Sequence, residues 1–162
     1  MTAAQRLRRA AHGDRGGGDG GSAIIEFVFV AVIVMVPLVY LIVAVAAVQR
    51  TQLAVSQAAR EAGRAFATSS GPAEAQVRVA AAVRLALAAQ GLPNDAVVRY
   101  VPSGSGCSAP AITPRVAPGA QFAVCVTRHA TLPAVPSVLA GRGVTAVGRY
   151  VVHVDDYRVV TS

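Results

Sequence analysis

The sequence predicts an α+β protein: a long N-terminal transmembrane helix continuing as an amphipathic stalk, a second short helix, and a small antiparallel sheet of three to four strands. Three observations lead there. The run "FVFVAVIVMVPLVYLIVAVAAV", Phe27 to Val48, carries no charge; at ~1.5 Å per residue it reaches ~33 Å as a helix, against a bilayer hydrocarbon core of ~30 Å. Beyond it, "QRTQLAVSQAAREAGRAFA" keeps the helical period while turning amphipathic. Past Gly91 the period changes to two, as in strands.

Residues 1–21 read as a basic leader ending in "HGDRGGGDGG", where the glycines cost too much backbone entropy to hold a helix. The anchor and stalk follow over residues 22–67. Ser22 is a candidate cap, and Pro37 is expected to kink the membrane segment, a defect that membrane helices tolerate. A secretory signal has an apolar core of about 7 to 15 residues with a small-residue cleavage site close behind. This run is longer and flows into further helix, so it reads as a retained anchor. In the stalk, Val55, Ala58, Ala59, Ala62 and Phe66 share one face, while Gln57, Arg60, Glu61 and Arg64 share another.

The break "TSSGP" opens an extracytoplasmic α+β domain, residues 68–162. Pro72 in a first turn, Glu74 close behind and Gly91 past the end bracket the second helix. Its inward stripe is Val79, Val83, Ala86 and Leu87. The strands are Ala96 to Val101, Gln121 to Thr127 and Val144 to Val154. In the last, Val144, Ala146, Tyr150, Val152 and Val154 share a face, opposite Thr145, Arg149 and His153.

The net charge of +7 is carried by arginine, for there is no lysine. Arg6, Arg8, Arg9 and Arg15 precede the apolar run against Asp14 and Asp19, whereas Arg50, Arg60 and Arg64 follow it with Glu61. That balance mildly favours a cytoplasmic N-terminus. Cys107 and Cys125 both lie beyond the anchor. On an oxidising side they can pair, a closure worth about 3 kcal/mol; the alternative is two separate thiols, one in a loop and one on a strand.

Glu26 sits at the lip of the apolar run. An acid near a helix N-terminus is favoured by the helix dipole, and a position near the headgroups makes its burial cheaper, so a plain capping role is available. Its surroundings suggest more. Gly21, Ser22, apolar residues, Glu26 and Phe27 follow a basic leader and precede the uncharged run. The pattern resembles type IV prepilin-type signal sequences, which a membrane peptidase cuts after the glycine. The resemblance implies a cut between Gly21 and Ser22 and makes Glu26 the fifth residue of the mature chain. The new ammonium of Ser22 would then meet the Glu26 carboxylate of a neighbouring subunit, each offsetting the other's burial, with Glu26 and Phe27 setting subunit registration.

A second stretch, "SQAAREAGRAFA", resembles the segment that follows the anchor in TadE-like proteins, pseudopilins of the tight-adherence (Flp) pilus assembly system. Ala58, Ala59, Arg60, Glu61, Gly63 and Arg64 carry the similarity, with Ala62 and Gly63 in reversed order. A strand with cysteine, an "LPAVP" turn and a strand ending in "HVDDYR" fit loosely. Major pilins of that system are short and often show a Glu-Tyr pair; the pair here is Glu26–Phe27 in a longer chain. The resemblance implies processing by the prepilin peptidase, a place in a bacterial inner membrane, and partners among other pilin-like subunits and the assembly machinery. The alternative for the stalk motif is a merely solvated helix.

Little else suggests chemistry. His12, His129 and His153 are far apart in sequence, with no spaced Cys or carboxylate, whereas zinc needs three or four converging ligands. Asp155 and Asp156 are adjacent and would point to opposite sides of a strand, against a paired acid and base. "PSGSGCSAP" precedes no helix, which argues against a phosphate cradle. No enzyme, cofactor or metal is expected. The arginines attract nucleic acid in a salt-dependent way, but they are scattered and few aromatics interleave them. The leading expectation is a single-pass pseudopilin or minor pilin-like subunit, its C-terminal domain extracytoplasmic. The alternative is a signal-anchored extracytoplasmic binding module for DNA or a cell-surface polymer, with its leader uncleaved.

Overall fold

The computed structural model describes residues 19–130 and 144–157, with side chains from residue 24 onward. The element order is α1 (Asp19–Ala67), α2 (Pro72–Ala89), β1 (Val97–Pro102), β2 (Gln121–Ala130) and β3 (Val144–His153). It is the α+β arrangement expected, with three strands in the sheet among the described residues. Most of the leader, with His12 and Arg6, Arg8, Arg9 and Arg15, lies outside the described residues, as do the "LPAVP" turn and Arg158.

α1 starts three residues earlier than expected, so Gly20 and Gly21 are helical. Each glycine costs about 1 kcal/mol in a helix interior. Extension from an established helix adds one hydrogen bond per residue without a new nucleus, and this offsets the cost. The helix is continuous through Pro37.

The chain divides into two units at the Ile42–Val43 junction within α1. The first contains the apolar half of the span. From Ile24 to Ile42 its large aliphatic side chains and both phenylalanines are exposed, Phe27 at 74 % and Ile25 at 73 %, while Tyr40 is half-buried. No soluble helix tolerates such a surface. Among the described residues one helix is long and apolar enough to cross a membrane, and it fits a single-pass anchor.

In the second unit the stalk face becomes core. Val55, Ala58, Ala59, Ala62 and Phe66 are buried, as the period of α1 requires. α2 adds Ala75, Val79, Val83 and Leu87, with Ala86 partly buried. The sheet, in the order β1-β2-β3 and antiparallel throughout, adds Phe122, Val124, Val126, Ala146 and Val152 from one face. Phe66 from α1 meets Phe122 at a centroid distance of 4.7 Å and Tyr100 at 5.8 Å, in tilted geometries worth about 0.5–1.5 kcal/mol per pair beyond burial. Burial pushes the Tyr100 phenol up from its usual pKa.

Two glycines permit this packing. A Cβ on Gly148 would lie 2.0 Å from the Val55 carbonyl oxygen, and one on Gly63 would lie 2.4 Å from Cδ1 of Tyr150. α1 and β3 therefore approach at bare backbone.

One local expectation needs correction, and one residue of a correctly read face is uncovered. Val144 shares the face of Ala146, Tyr150 and Val152 as expected, but as the first residue of β3 it is exposed and lies outside the core cluster. Asp155 and Asp156 are not on a strand, since β3 ends at His153. The chain turns there: the Tyr157 N–H donates to Asp155 Oδ1 at 3.0 Å, and Asp156 lies 3.5 Å from His153 Nε2.

Candidate functional site

Two segments of α1 carry the motifs singled out in the sequence. The first holds Gly21, Ser22, Glu26 and Phe27. All four are helical, so Ser22 and Glu26 are one turn apart on the same side of the helix. Because α1 starts at Asp19, Glu26 lies beyond its first turn, outside the range in which a helix dipole acts appreciably. Simple dipole capping therefore explains Glu26 less well than the sequence suggested. Glu26 and Phe27 are exposed, amid the exposed apolar side chains of Ile24, Ile25, Val28 and Phe29. A carboxylate in such surroundings has a reason to acquire a partner cation.

The second segment is the stalk motif, which the fold splits into two roles. Ala58, Ala59, Ala62 and Gly63 face inward against the core, where small residues allow close approach. Arg60, Glu61 and Arg64 point outward; Glu61 and Arg64 pair loosely at 4.0 Å, both exposed. An exposed pair of this kind is worth about 0.2–0.5 kcal/mol. The small residues thus have an intramolecular explanation, whereas the charged ones do not.

Cys107 and Cys125 are disulfide-bonded, with Cα atoms 5.7 Å apart. The bond fastens the loop after β1 onto the sheet face away from the main core, where Val101, Ala123 and Cys125 form a second, smaller cluster with Cys107 and Ala109 beside it. The histidines do not converge. His129 contacts Thr145 Oγ1 at 3.1 Å and His153 contacts Asp156, and among the described residues no three His, Cys, Asp or Glu side chains are placed to hold a metal.

Two features, one buried and one exposed, were not visible in the sequence. Arg128, on the core face of β2, is only 3 % exposed. It forks onto Asp95, Nε to Oδ1 at 2.5 Å and the terminal nitrogen to Oδ2 at 3.2 Å, and also donates to the His129 carbonyl at 3.2 Å. Alternation along β2 places residue 128 inward, the one signal available beforehand. The second feature is Gln52, whose amide bonds both backbone groups of Val147 on β3, donating at 2.9 Å and accepting at 3.3 Å. It plugs a sheet edge much as another strand would.

A family model described as TadE-like protein matches residues 21–64. The resemblance thus holds over the segment that carries it, from the glycine of the signal-like motif to the last arginine of the stalk motif. No curated protein and no solved structure matches the chain.

Proposed function

From a chain whose residues 21–64 match the TadE-like family, we propose a pseudopilin or minor pilin-like subunit that takes part in assembling a Tad (Flp) pilus after its leader is removed. The family match suggests the pilus-related role; the finer reading rests on α1. One observation carries it: a single helix presents Gly21, Ser22, Glu26, an exposed apolar span and an outward Arg60–Glu61–Arg64 face in that order. Nothing in that order serves catalysis. It suits a subunit that packs sideways against others in or near a membrane.

In this reading the peptidase cuts between Gly21 and Ser22 on the cytoplasmic side of the inner membrane, and the sheet domain lies outside. The freed Ser22 ammonium starts a helix whose Glu26 is one turn on. Held at the edge of hydrocarbon, the two charges offset each other's desolvation, and a neighbour's carboxylate can supply the same contact. Glu26 then fixes the axial register of adjacent subunits.

The test is the mass of the full chain recovered from membranes of a host with a Tad system. Loss of residues 1–21, abolished by Gly21→Leu, is the expected result; an intact N-terminus in that host overturns the reading and leaves a tethered ectodomain. Glu26→Gln should keep membrane insertion and processing while lowering piliation severalfold. Normal piliation in that variant removes the registration role.

A further inference from the structure

Cys125 stands in the middle of a row that crosses the sheet. Its register partners are Arg99 on β1 and Arg149 on β3, and side chains directly opposite one another share a face. Both arginines reach to the loop that covers this face. Arg149 donates from Nε to the Ser105 carbonyl at 3.1 Å and from a terminal nitrogen to the Ser103 carbonyl. Arg99 donates to the Ala109 carbonyl at 3.2 Å. Cys107 lies midway, two residues past Ser105 and two before Ala109.

The loop has little of its own to hold it there. Gly104 has open space around it and Gly106 nearly so, and glycine backbones lose more freedom on ordering than any others. Short turns, Ser105 N–H to the carbonyl of Pro102 at the end of β1 and Ala109 N–H to Gly106, close it locally, and past it the Ile112 N–H donates to the Tyr100 carbonyl at 2.8 Å; besides the packing of Cys107 and Ala109 on the small cluster, none of these holds residues 103–109 across the sheet face. The arginines do so on both sides of the sulfur.

We propose that Arg99 and Arg149 are positioning residues for the Cys107–Cys125 bond, docking the 103–109 loop on the sheet before the sulfurs join. Cys125 is 1 % exposed while Cys107 is partly exposed, so Cys107 is the sulfur that meets a small disulfide oxidant. Its thiolate attacks the oxidant, forming a mixed disulfide and releasing one thiolate. Cys125 gives up its proton to solvent and attacks the Cys107 sulfur, displacing the second thiolate. Two cysteine thiols lose two electrons and the oxidant's disulfide becomes two thiols. The arginines act on the second step, since they hold Cys107 above its partner.

The experiment uses the full chain in detergent, reduced with a dithiol, exchanged into buffer and mixed with oxidised glutathione, with acid-quenched mass spectrometry to follow each species. Arg99→Gln and Arg149→Gln should each slow closure of the mixed disulfide by about tenfold, the loss expected when two reacting groups are no longer held together. Glutathionylated Cys107 should accumulate accordingly. Arg149→Lys should recover part of the rate, and Arg115→Gln, at an exposed position remote in sequence from the loop contacts, should leave it unchanged. Closure at the original rate in both glutamine variants overturns the proposal, as does a mixed disulfide formed chiefly on Cys125. Hydrogen exchange on the reduced, unsubstituted chain gives a check that needs no variant: the Ser105 and Ala109 amides, the two in the loop that donate hydrogen bonds, should remain protected, and their full exchange at the rate of free peptide would refute docking before closure.

Discussion

Gly148 and Gly63 show what a missing methyl group does at the two helix–sheet contacts. At Gly148 the obstacle to a side chain is the Val55 backbone, its carbonyl oxygen 2.0 Å and carbonyl carbon 2.4 Å from an added Cβ. At Gly63 it is the Tyr150 ring and a Val152 methyl. Backbone in a helix cannot step aside without moving the helix, whereas a partly buried ring can shift. Gly148→Ala should therefore cost about 3 kcal/mol or abolish folding, and Gly63→Ala about 1–2 kcal/mol, as for overpacked sites; thermal unfolding of the two variants side by side checks the order. Asp95 offers a second comparison. It is half-exposed, but its partner Arg128 is 2 % exposed at the side chain, so the cation has little access to water if the acid is removed. Asp95→Asn should destabilise by about 2 kcal/mol, less than a fully buried pair because water can reach the aspartate side. Chemical denaturation, with the Asp95→Asn/Arg128→Met double variant recovering part of the loss, is the measurement. Gly63 was visible in the sequence as part of a motif, yet its contacts were not, since Tyr150 and Val152 lie far along the chain.

α2 is the element whose ends were most legible, because capping chemistry is local. Pro72 occupies the first turn, and its absent N–H costs nothing there. At the other end Gly91 takes φ +64°, with its N–H on the Ala88 carbonyl and that of Leu92 on the Leu87 carbonyl at 3.0 Å, the pair of bonds that closes many helices. Glu74 folds back on the entry: Ser70 donates its backbone N–H at 2.8 Å and its hydroxyl to the carboxylate, and Arg78 stands 3.4 Å away. Chiefly through the Ser70 hydroxyl, then the Ser70 N–H and Arg78, the Glu74 pKa is held below its usual value of 4.5. A lowered carboxylate pKa stabilises the folded state above the unfolded value, and the contribution is lost as pH falls through the folded value. Acidification from pH 6 to pH 3 should therefore loosen the α2 entry, seen as lower protection factors at Ser70, Ala75 and Gln76 relative to the intrinsic exchange rate at each pH. Glu74→Gln should remove that pH dependence while leaving exchange near Gly91 unchanged. The start of α1 was less legible. Local glycine content argued for a start at Ser22, but a long helix behind it carries Gly20 and Gly21 along.

At the scale of the whole molecule, the second half of α1 serves the sheet as much as the anchor. Val55, Phe66 and the alanines between them sit in one cluster with α2, Phe122 and Val152. A fragment beginning at Thr68 loses that entire wall and should be unfolded by circular dichroism at 25 °C. A fragment beginning at Gln49 keeps the wall, drops the exposed apolar run, and should melt cooperatively. Equal behaviour of the two would contradict the packing described. The elements, the inward face of each and the apolar anchor were legible without a fold, because periodicity, caps and uncharged length are properties of neighbouring residues. Folding was needed to bring the stalk's small residues against β3, to pair Arg128 with Asp95, and to set Arg99 and Arg149 on either side of a disulfide. Each of those depends on strand register and on the approach of segments distant in sequence, which no local pattern encodes.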